Sequence, residues 1–326
     1  MAVNNIVGRA EVSDALLPEQ IINEIIQTAP ESSVVLSRAR KARMTAKKAK
    51  QPVLASLPDA YWVDGDTGLK QTTDVAWKGV TMTAEELAVI VPIPNAVVDD
   101  ASIPLWEEIR PLLAEAIGKK VDQAALFGTD KPTSWPTAII PGAIAAGKVV
   151  QVGTGVDFGV DVADLAEKVS TGGFAINGFA SRPGLSWKLR GLRDEQGQPI
   201  YGAPMTASQA PVLYGFPLDE VRNGAWDSEA AELLAADWTK FVAGIRQDIT
   251  YDLFSEGVIS DADGKVVLNL MQQDSKALRV VFRVGFQIAN PITRLDTNDE
   301  TRFPAGVVVP AGSGTGEGDS GTGGGE

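Results

Sequence analysis

Neither histidine nor cysteine occurs among these 326 residues. That removes disulfides, thiolate nucleophiles, haem attachment, thiolate or imidazole zinc sites, and Ser-His or Cys-His catalysis. Carboxylate, lysine, tyrosine or Ser/Lys chemistry remains, together with metals held by oxygen alone. The acidic pairs Asp99-Asp100 and Glu107-Glu108 are adjacent, and adjacent residues on a helix do not face each other, so neither makes an acid/base dyad. Asp261-Ala262-Asp263-Gly264 has the opening of a calcium loop, but the further oxygen ligands and closing glutamate do not follow, so a turn is expected. Gly316-Glu317-Gly318-Asp319-Ser320-Gly321 fits GxGxxG with no strand before it and no room for a helix after it. VVQVGTG at 149–155 reads as a strand entering a glycine turn, yet the third glycine is missing and Asp157 would set a negative charge beside a pyrophosphate. Nucleophile, base and oxyanion donors never come together. The expectation is a protein without catalysis, cofactor or metal.

Charge is the next chemical resource. The 29 basic and 42 acidic residues leave a formal charge of −13, which discourages indiscriminate binding to nucleic acid. Against that background Arg38, Arg40, Lys41, Arg43, Lys47, Lys48 and Lys50 occur with no acidic residue between them. Such a strip serves as a solvated face or as a partner for acidic neighbours. A strip facing DNA or a scaffold is the sharper alternative, since phosphate contacts need only lysine and arginine.

The elements that hold these residues can be read from pattern. With 44% hydrophobic residues, the chain has material for one large or two smaller cores. PVLASLPDAYWV, a polar stretch DGDTGLKQTTD, and VAWKGVTMTAEELAVIVPIP form two arms of a long hairpin, with Asp64-Gly65 as the turn dipeptide. An isolated two-stranded hairpin is marginal in water, so this one must lie on something, and a neighbouring copy of the chain is the simplest candidate. Its aromatic residues Tyr61, Trp62 and Trp77 are suited to anchoring at an interface, and Lys70 and Lys78 stand beside them.

Ahead of the hairpin, PEQIINEIIQTAP at 18–30 reads as a short helix between prolines. After it, Ser102 and Pro104 open a long helix whose apolar stripe runs to Phe127 and stops at Gly128, with a kink or break expected at Pro111. From 147 to 271 helices and short strands alternate. A strand pair is expected around Ala236-Asp237-Trp238, and Val280, Phe282, Val284, Phe286 and Ile288 line one face of a later strand. Gly285 within that strand signals a bulge or a close backbone approach. The chain from 306 onward is Gly-rich and acidic and reads as a flexible tail. The N-terminus lacks the basic and apolar regions of a secretory signal, and the densest apolar run, 87–94, is far too short for a membrane span. A soluble protein without membrane contact is expected.

In this order the blocks AYWVDGDTGLK, VAWKGVTMTAEELAVIVPIPNAVVDDA, IRPLLAEAIGKKVDQAALFGT, GFASRPGLSWKLRGLRDEQGQPIY, LYGFPLDEV, ADWTKFVAGIRQDITYDLF and DSKALRVVFRVGFQIANP resemble the major capsid proteins of tailed bacteriophages with the HK97-type fold, above all those infecting actinobacteria. Each string alone is weak; their ordered combination is specific and covers most of the chain. The resemblance implies an α+β fold with an N-terminal arm at 1–50, an extended loop at 51–86, and a peripheral domain with a spine helix at 87–146. An axial domain at 147–271, a return to the peripheral domain at 272–305 and a tail at 306–326 follow.

It further implies hexamers and pentamers closing into an icosahedral shell around double-stranded DNA, assembled in the host cytoplasm and resident in the virion. Such a head-to-tail ring uses two different surfaces of each subunit. The implied partners are other copies of the chain, a portal, a separate scaffold protein because only a short arm precedes the fold, packaged DNA through non-specific contact, and a decoration protein. An encapsulin-like compartment enclosing cargo enzymes is the alternative within the same fold. Some members join an extended-loop lysine to a neighbour's asparagine with help from a glutamate. Lys70 or Lys78 would supply the amine, but the two partner positions fall near Asp274 and Val281, so a shell held without covalent links is expected.

Overall fold

The structure, a computed structural model, describes residues 33–63, 70, 72–100, 105–191 and 211–312. The expected helix at 18–30, the Asp64-Gly65 turn and the tail beyond 312 lie outside the described residues. In chain order the elements begin with α1 (Val34–Arg38), β1 (Arg40–Arg43), β2 (Lys48–Leu54), β3 (Trp77–Pro94), α2 (Asn95–Asp100) and α3 (Leu105–Asp122). Then come α4 (Ile139–Ala145), β4 (Val149–Gln151), α5 (Phe158–Thr171), β5 (Gly178–Ser181), α6 (Leu185–Arg190), β6 (Val212–Leu213), β7 (Phe216–Glu220) and β8 (Leu233–Ala236). Last are β9 (Phe241–Phe254), β10 (Val258–Ser260), β11 (Val266–Asn269), β12 (Ser275–Ile288) and β13 (Ala305–Val309). They form two compact units, the first from the chain up to Ala138 with Asn223–Ala225 and Thr239–Pro291, the second from the remainder.

The first unit is built on a five-stranded sheet in the order β1-β9-β12-β3-β2. β12 lies at its centre, with Val280, Phe282, Val284 and Phe286 buried on one face and Val281 buried on the other. Phe286 stacks on Phe241 and meets Trp135, with ring centroids 6.4 and 5.8 Å away. The intervening Arg279 and Arg283 instead carry ion pairs to Asp252 (2.9 Å) and Glu86 (2.7 Å). Ile93, Val97, Val98 and Leu105 form a core cluster with Trp106 and Ile109 at the start of α3. The expected break at Pro111 is absent: the helix runs on through it. Pro111 is exposed, where water can reach the carbonyl that proline leaves without a partner. α3 then loosens into a π-helical turn, Gln123–Phe127, and ends at Gly128 in the left-handed region (φ 81°), as the position of that glycine predicts.

Two sequence expectations are corrected here. The strands flanking Ala236-Asp237-Trp238 do not pair with each other; β8 joins one sheet and β9 the other. Residues 239–271, expected with the segment 147–238, therefore pack in the first unit.

The second unit holds a six-stranded sheet in the order β4-β13-β8-β5-β7-β6. β5 and β8 are buried at every position. α5 sets Phe158, Val162, Leu165 and Val169 against them, joined by Leu185 and Leu189 of α6. The expected tail also needs correction. Ala305–Val309 is a fully buried strand between β4 and β8. Its apolar run AGVVV suits the centre of a sheet with both faces covered. The glycine turn after β4 is closed by its own chain: the Asp161 carboxylate accepts from Gly153 N (2.8 Å) and Gly155 N (2.7 Å). The position an anion would take at such a turn is filled by that carboxylate.

Candidate intersubunit contact site

β3 has two partners along its length. Residues 84–94 pair with β12, from Gly285↔Ala84 to Ser275↔Pro94. Residues 77–83 pair with β2 alone, from Lys48↔Thr83 to Leu54↔Trp77. The ladder to β12 ends at Ala84, but Met82 and Thr83 remain buried and Gln287 Nε2 donates to Thr81 O (2.7 Å). Beyond Thr81 the hairpin continues as a two-stranded arm, with Trp77 roughly 23 Å past Ala84 at about 3.3 Å per residue. Ala55 N and Ser56 N both donate to Ala76 O (2.8 and 3.2 Å), which carries the pairing two residues beyond the strands.

The point of departure is made by an absence of side chains. Gly285 faces Gly244 across β12 and β9. A Cβ on Gly285 would stand 2.8 Å from Thr83 O, and one on Gly244 would stand 2.5 Å from Met44 Sδ and 2.8 Å from Met82 Sδ. The two glycines make a floor on which Met44, Met82, Ala84 and Val242 form a small buried cluster. The close approach read from Gly285 is present, and the two methionines it accommodates had no signal in the sequence.

Along the arm, Trp62 is fully exposed, Trp77 is 68% exposed and Tyr61 40%. Lys70 and Lys78 are exposed as well, Lys78 opposite Val53. Asp64 and Gly65 lie outside the described residues. Of the positions bearing on cross-linking, Val281 is buried within β12. Asp274 adopts φ 45° and accepts from Asn95 Nδ2 at 2.6 Å.

The basic strip, which falls within the N-terminal arm expected at 1–50, is partly held in the sheet of the first unit. Arg40, Lys41 and Arg43 lie on β1, which pairs in parallel with β9 from Arg40↔Val242 to Arg43↔Ile245. Met44 is buried and its N–H donates to Ile245 O (2.9 Å). Strand alternation sends Lys41 and Arg43 to the face opposite Arg40, so these cations do not form one patch. Lys48 and Lys50 belong to β2, which begins three residues before the expected loop boundary at 51. Lys47, between the two strands, pairs with Glu85 at 3.5 Å. Arg38 closes α1.

α1 is tied to the long helix by a residue the sequence reading passed over. Asp122 is buried and accepts from Ser33 Oγ (2.6 Å), Val34 N (3.1 Å), Val35 N (3.0 Å) and Asn223 Nδ2 (2.8 Å). Burial pushes its carboxyl above the ordinary value, and the four donated bonds hold it down only in part. A charged residue beside Val121 and Ala124 on the apolar stripe was the one available sign of such a role.

A hairpin that runs beyond its sheet with aromatic side chains exposed suits contact with another surface. Comparison with known proteins gives the class: the sequence matches the phage capsid family over residues 14–293, and the chain belongs to that family. It is 27% identical over 285 residues to the major capsid protein of Staphylococcus phage 80alpha, covering 86% of this chain and 84% of that protein. Among solved structures, a chain of Microbacterium phage Oxtober96 matches with 37% identity and a TM-score of 0.76, covering 90% of this chain and 96% of that one. A chain of Mycobacterium phage Cain matches with 33% identity and a TM-score of 0.77, covering 95% and 100%. The fold is of the HK97 type, and the chain is a capsid protein, a component of the virion that assembles with copies of itself. These matches to phage proteins do not favour the encapsulin-like alternative. Among the described residues no helix is long and apolar enough to cross a membrane.

Proposed function

We propose that this chain forms hexamers and pentamers of an icosahedral shell around double-stranded DNA, and that the β2–β3 hairpin clamps one copy to the next. The observation that carries the reading is the run of β3 beyond the end of its β12 ladder at Ala84, with Trp62 and Trp77 exposed further out. An arm with so little cover is stable only on another surface, and a shell supplies a second copy at every arm. The first unit corresponds to the peripheral domain, with α3 as its spine helix, and the second to the axial domain. The role is structural, without catalysis. Portal, a separate scaffold protein, packaged DNA and a decoration protein are its further partners, and the strip Arg38–Lys50 faces the shell interior or an acidic neighbour.

Deletion of residues 65–74 tests the clamp. The strands at 48–54 and 77–83 remain, so the subunit is expected to fold and sediment as a soluble species, while negative-stain microscopy finds no closed shells. Normal particles from that deletion would overturn the clamp. The shell is held without covalent links, because Asp274 and Val281 supply neither the asparagine nor the glutamate of a cross-linking site. Boiled, denatured particles are expected to run as monomer; a ladder of oligomers refutes this.

A further inference from the structure

We propose that the β10–β11 hairpin is a docking face for the basic β1 edge of a second copy of this chain, so that neighbours meet through opposite ends of one strand, β9. The proposal rests on the reading of the chain as a shell subunit and names the surface its basic strip engages.

β10 and β11 pair only with each other among the described residues. One side of this small sheet is seated: Leu268, Leu270 and Ala277 are buried together, with Ile259 packed against them. The other side is open. Val258 and Val266 are each more than half exposed, as is Leu253 at the end of β9, and Met271 just beyond β11 is 74% exposed. Apolar side chains gathered at one end of a sheet mark a surface that another protein covers.

Charge identifies the occupant. Residues 256–265 carry Glu256, Asp261 and Asp263 against the single Lys265. Asp261 is spent on the turn, accepting from Asp263 N (3.1 Å) and Lys265 N (2.8 Å), while Glu256 and Asp263 are exposed. The complementary charge lies at the far end of the same strand: β1 pairs with Val242 to Ile245, and the hairpin departs after Phe254. Nine residues of strand separate the two by roughly 30 Å, about three screening lengths at 0.1 M salt. They therefore do not satisfy each other within one chain. Two complementary surfaces placed apart on one rigid sheet make a head-to-tail contact between copies. The aliphatic stems of Lys41 and Arg43, which share one face of β1, would cover Val258 and Val266 while their charges reach Glu256 and Asp263. Packaged DNA suits the strip equally by charge, but it neither covers an apolar hairpin nor tolerates its acids.

The test is a charge exchange in the full chain. One variant carries Lys41→Glu and Arg43→Glu; a second carries Glu256→Lys and Asp263→Lys; a third combines all four. Asp261 is left in place because it holds the turn. Near-UV circular dichroism reports subunit folding, and sedimentation with negative-stain microscopy reports closed shells. Each reversal alone is expected to cut shell yield at least about tenfold, and the combination to restore it to within about threefold of the parent. Failure of the combination to recover, with each single set impaired, would show that the strip has another partner; it overturns this proposal and leaves the strip's role in assembly standing. Normal assembly of the strip variant overturns both. Shells that form but lose their DNA place the strip against the genome and overturn the proposal. Should a reversal disturb folding, the milder Lys41→Gln and Asp263→Asn replace it. Equal loss of salt sensitivity in each, with no further loss in the pair, supports the contact; additive losses refute it.

Discussion

Gly285→Ala is the sharpest probe of how the hairpin is aimed. The added methyl would lie 2.8 Å from Thr83 O, 3.0 Å from Met82 Cγ and 3.1 Å from Thr83 C. Two of those atoms are backbone of Thr83, which pairs with Lys48 of β2 and directly precedes the β12 pairing that begins at Ala84. Relief therefore requires one strand to move by several tenths of an ångström. Overpacking of this kind costs about 1–3 kcal/mol, and backbone obstruction puts Gly285→Ala near the upper end, at about 2–3 kcal/mol. Gly244→Ala is the internal control: the atoms nearest its methyl belong to the Met44 and Met82 side chains, which can change rotamer, so a loss of about 1 kcal/mol is expected. Urea unfolding of unassembled subunits measures both, a lower midpoint at unchanged slope reporting stability alone. Because the shifted strand carries the arm, Gly285→Ala subunits that still fold should form fewer closed shells than Gly244→Ala subunits. A Gly285→Ala protein within about 0.5 kcal/mol of the parent, assembling normally, would refute the close approach at Thr83 and with it this account of where the hairpin leaves the sheet.

Asp122→Asn puts an amide where four donors converge, and a loss of roughly 2 kcal/mol at neutral pH is expected from the donors left unmatched. Burial raises the Asp122 carboxyl above 3.8, so the folded chain binds its proton more readily than the unfolded chain, and this group's contribution declines as pH rises from 3.8 through the raised value. The stability gap between parent and variant should accordingly widen toward pH 4 in parallel denaturation curves; a gap that narrows contradicts the burial effect. Trp62→Ala with Trp77→Ala should alter subunit stability by less than about 0.5 kcal/mol, since both side chains are exposed, yet reduce shell yield in microscopy. Unchanged shells would remove the aromatic anchor. Asp161→Ala leaves Gly153 N and Gly155 N without their acceptor and should cost about 2 kcal/mol in thermal or urea unfolding of the subunit; a neutral result would mean water replaces the carboxylate.

Local pattern was enough to find most elements of this protein. The alternation of β12 and the stripe and glycine stop of the long helix follow from side-chain period and from glycine's freedom at positive φ, properties a sequence carries in itself. The absence of histidine and cysteine likewise bounds the chemistry open to this chain. Which strands pair was not available from those sources. Leu233–Ala236 and Phe241–Phe254 follow each other closely in the chain, yet they enter different sheets, because partner choice depends on contacts between residues far apart in the chain. For the same reason Ala305–Val309, read as the start of a tail, becomes a buried strand only when β4 and β8 arrive on its two sides. The basic strip shows the limit most clearly. Seven cations without an intervening acid fall within the expected N-terminal arm, but β1 is held by β9, and strand alternation divides its charges between two faces. Asp122 was one acid in an amphipathic helix until Ser33 and Asn223, separated from it by 89 and 101 residues, closed around it. Composition and period thus determined what each segment of this chain can form; only long-range packing decided which surfaces remain open for a neighbouring subunit.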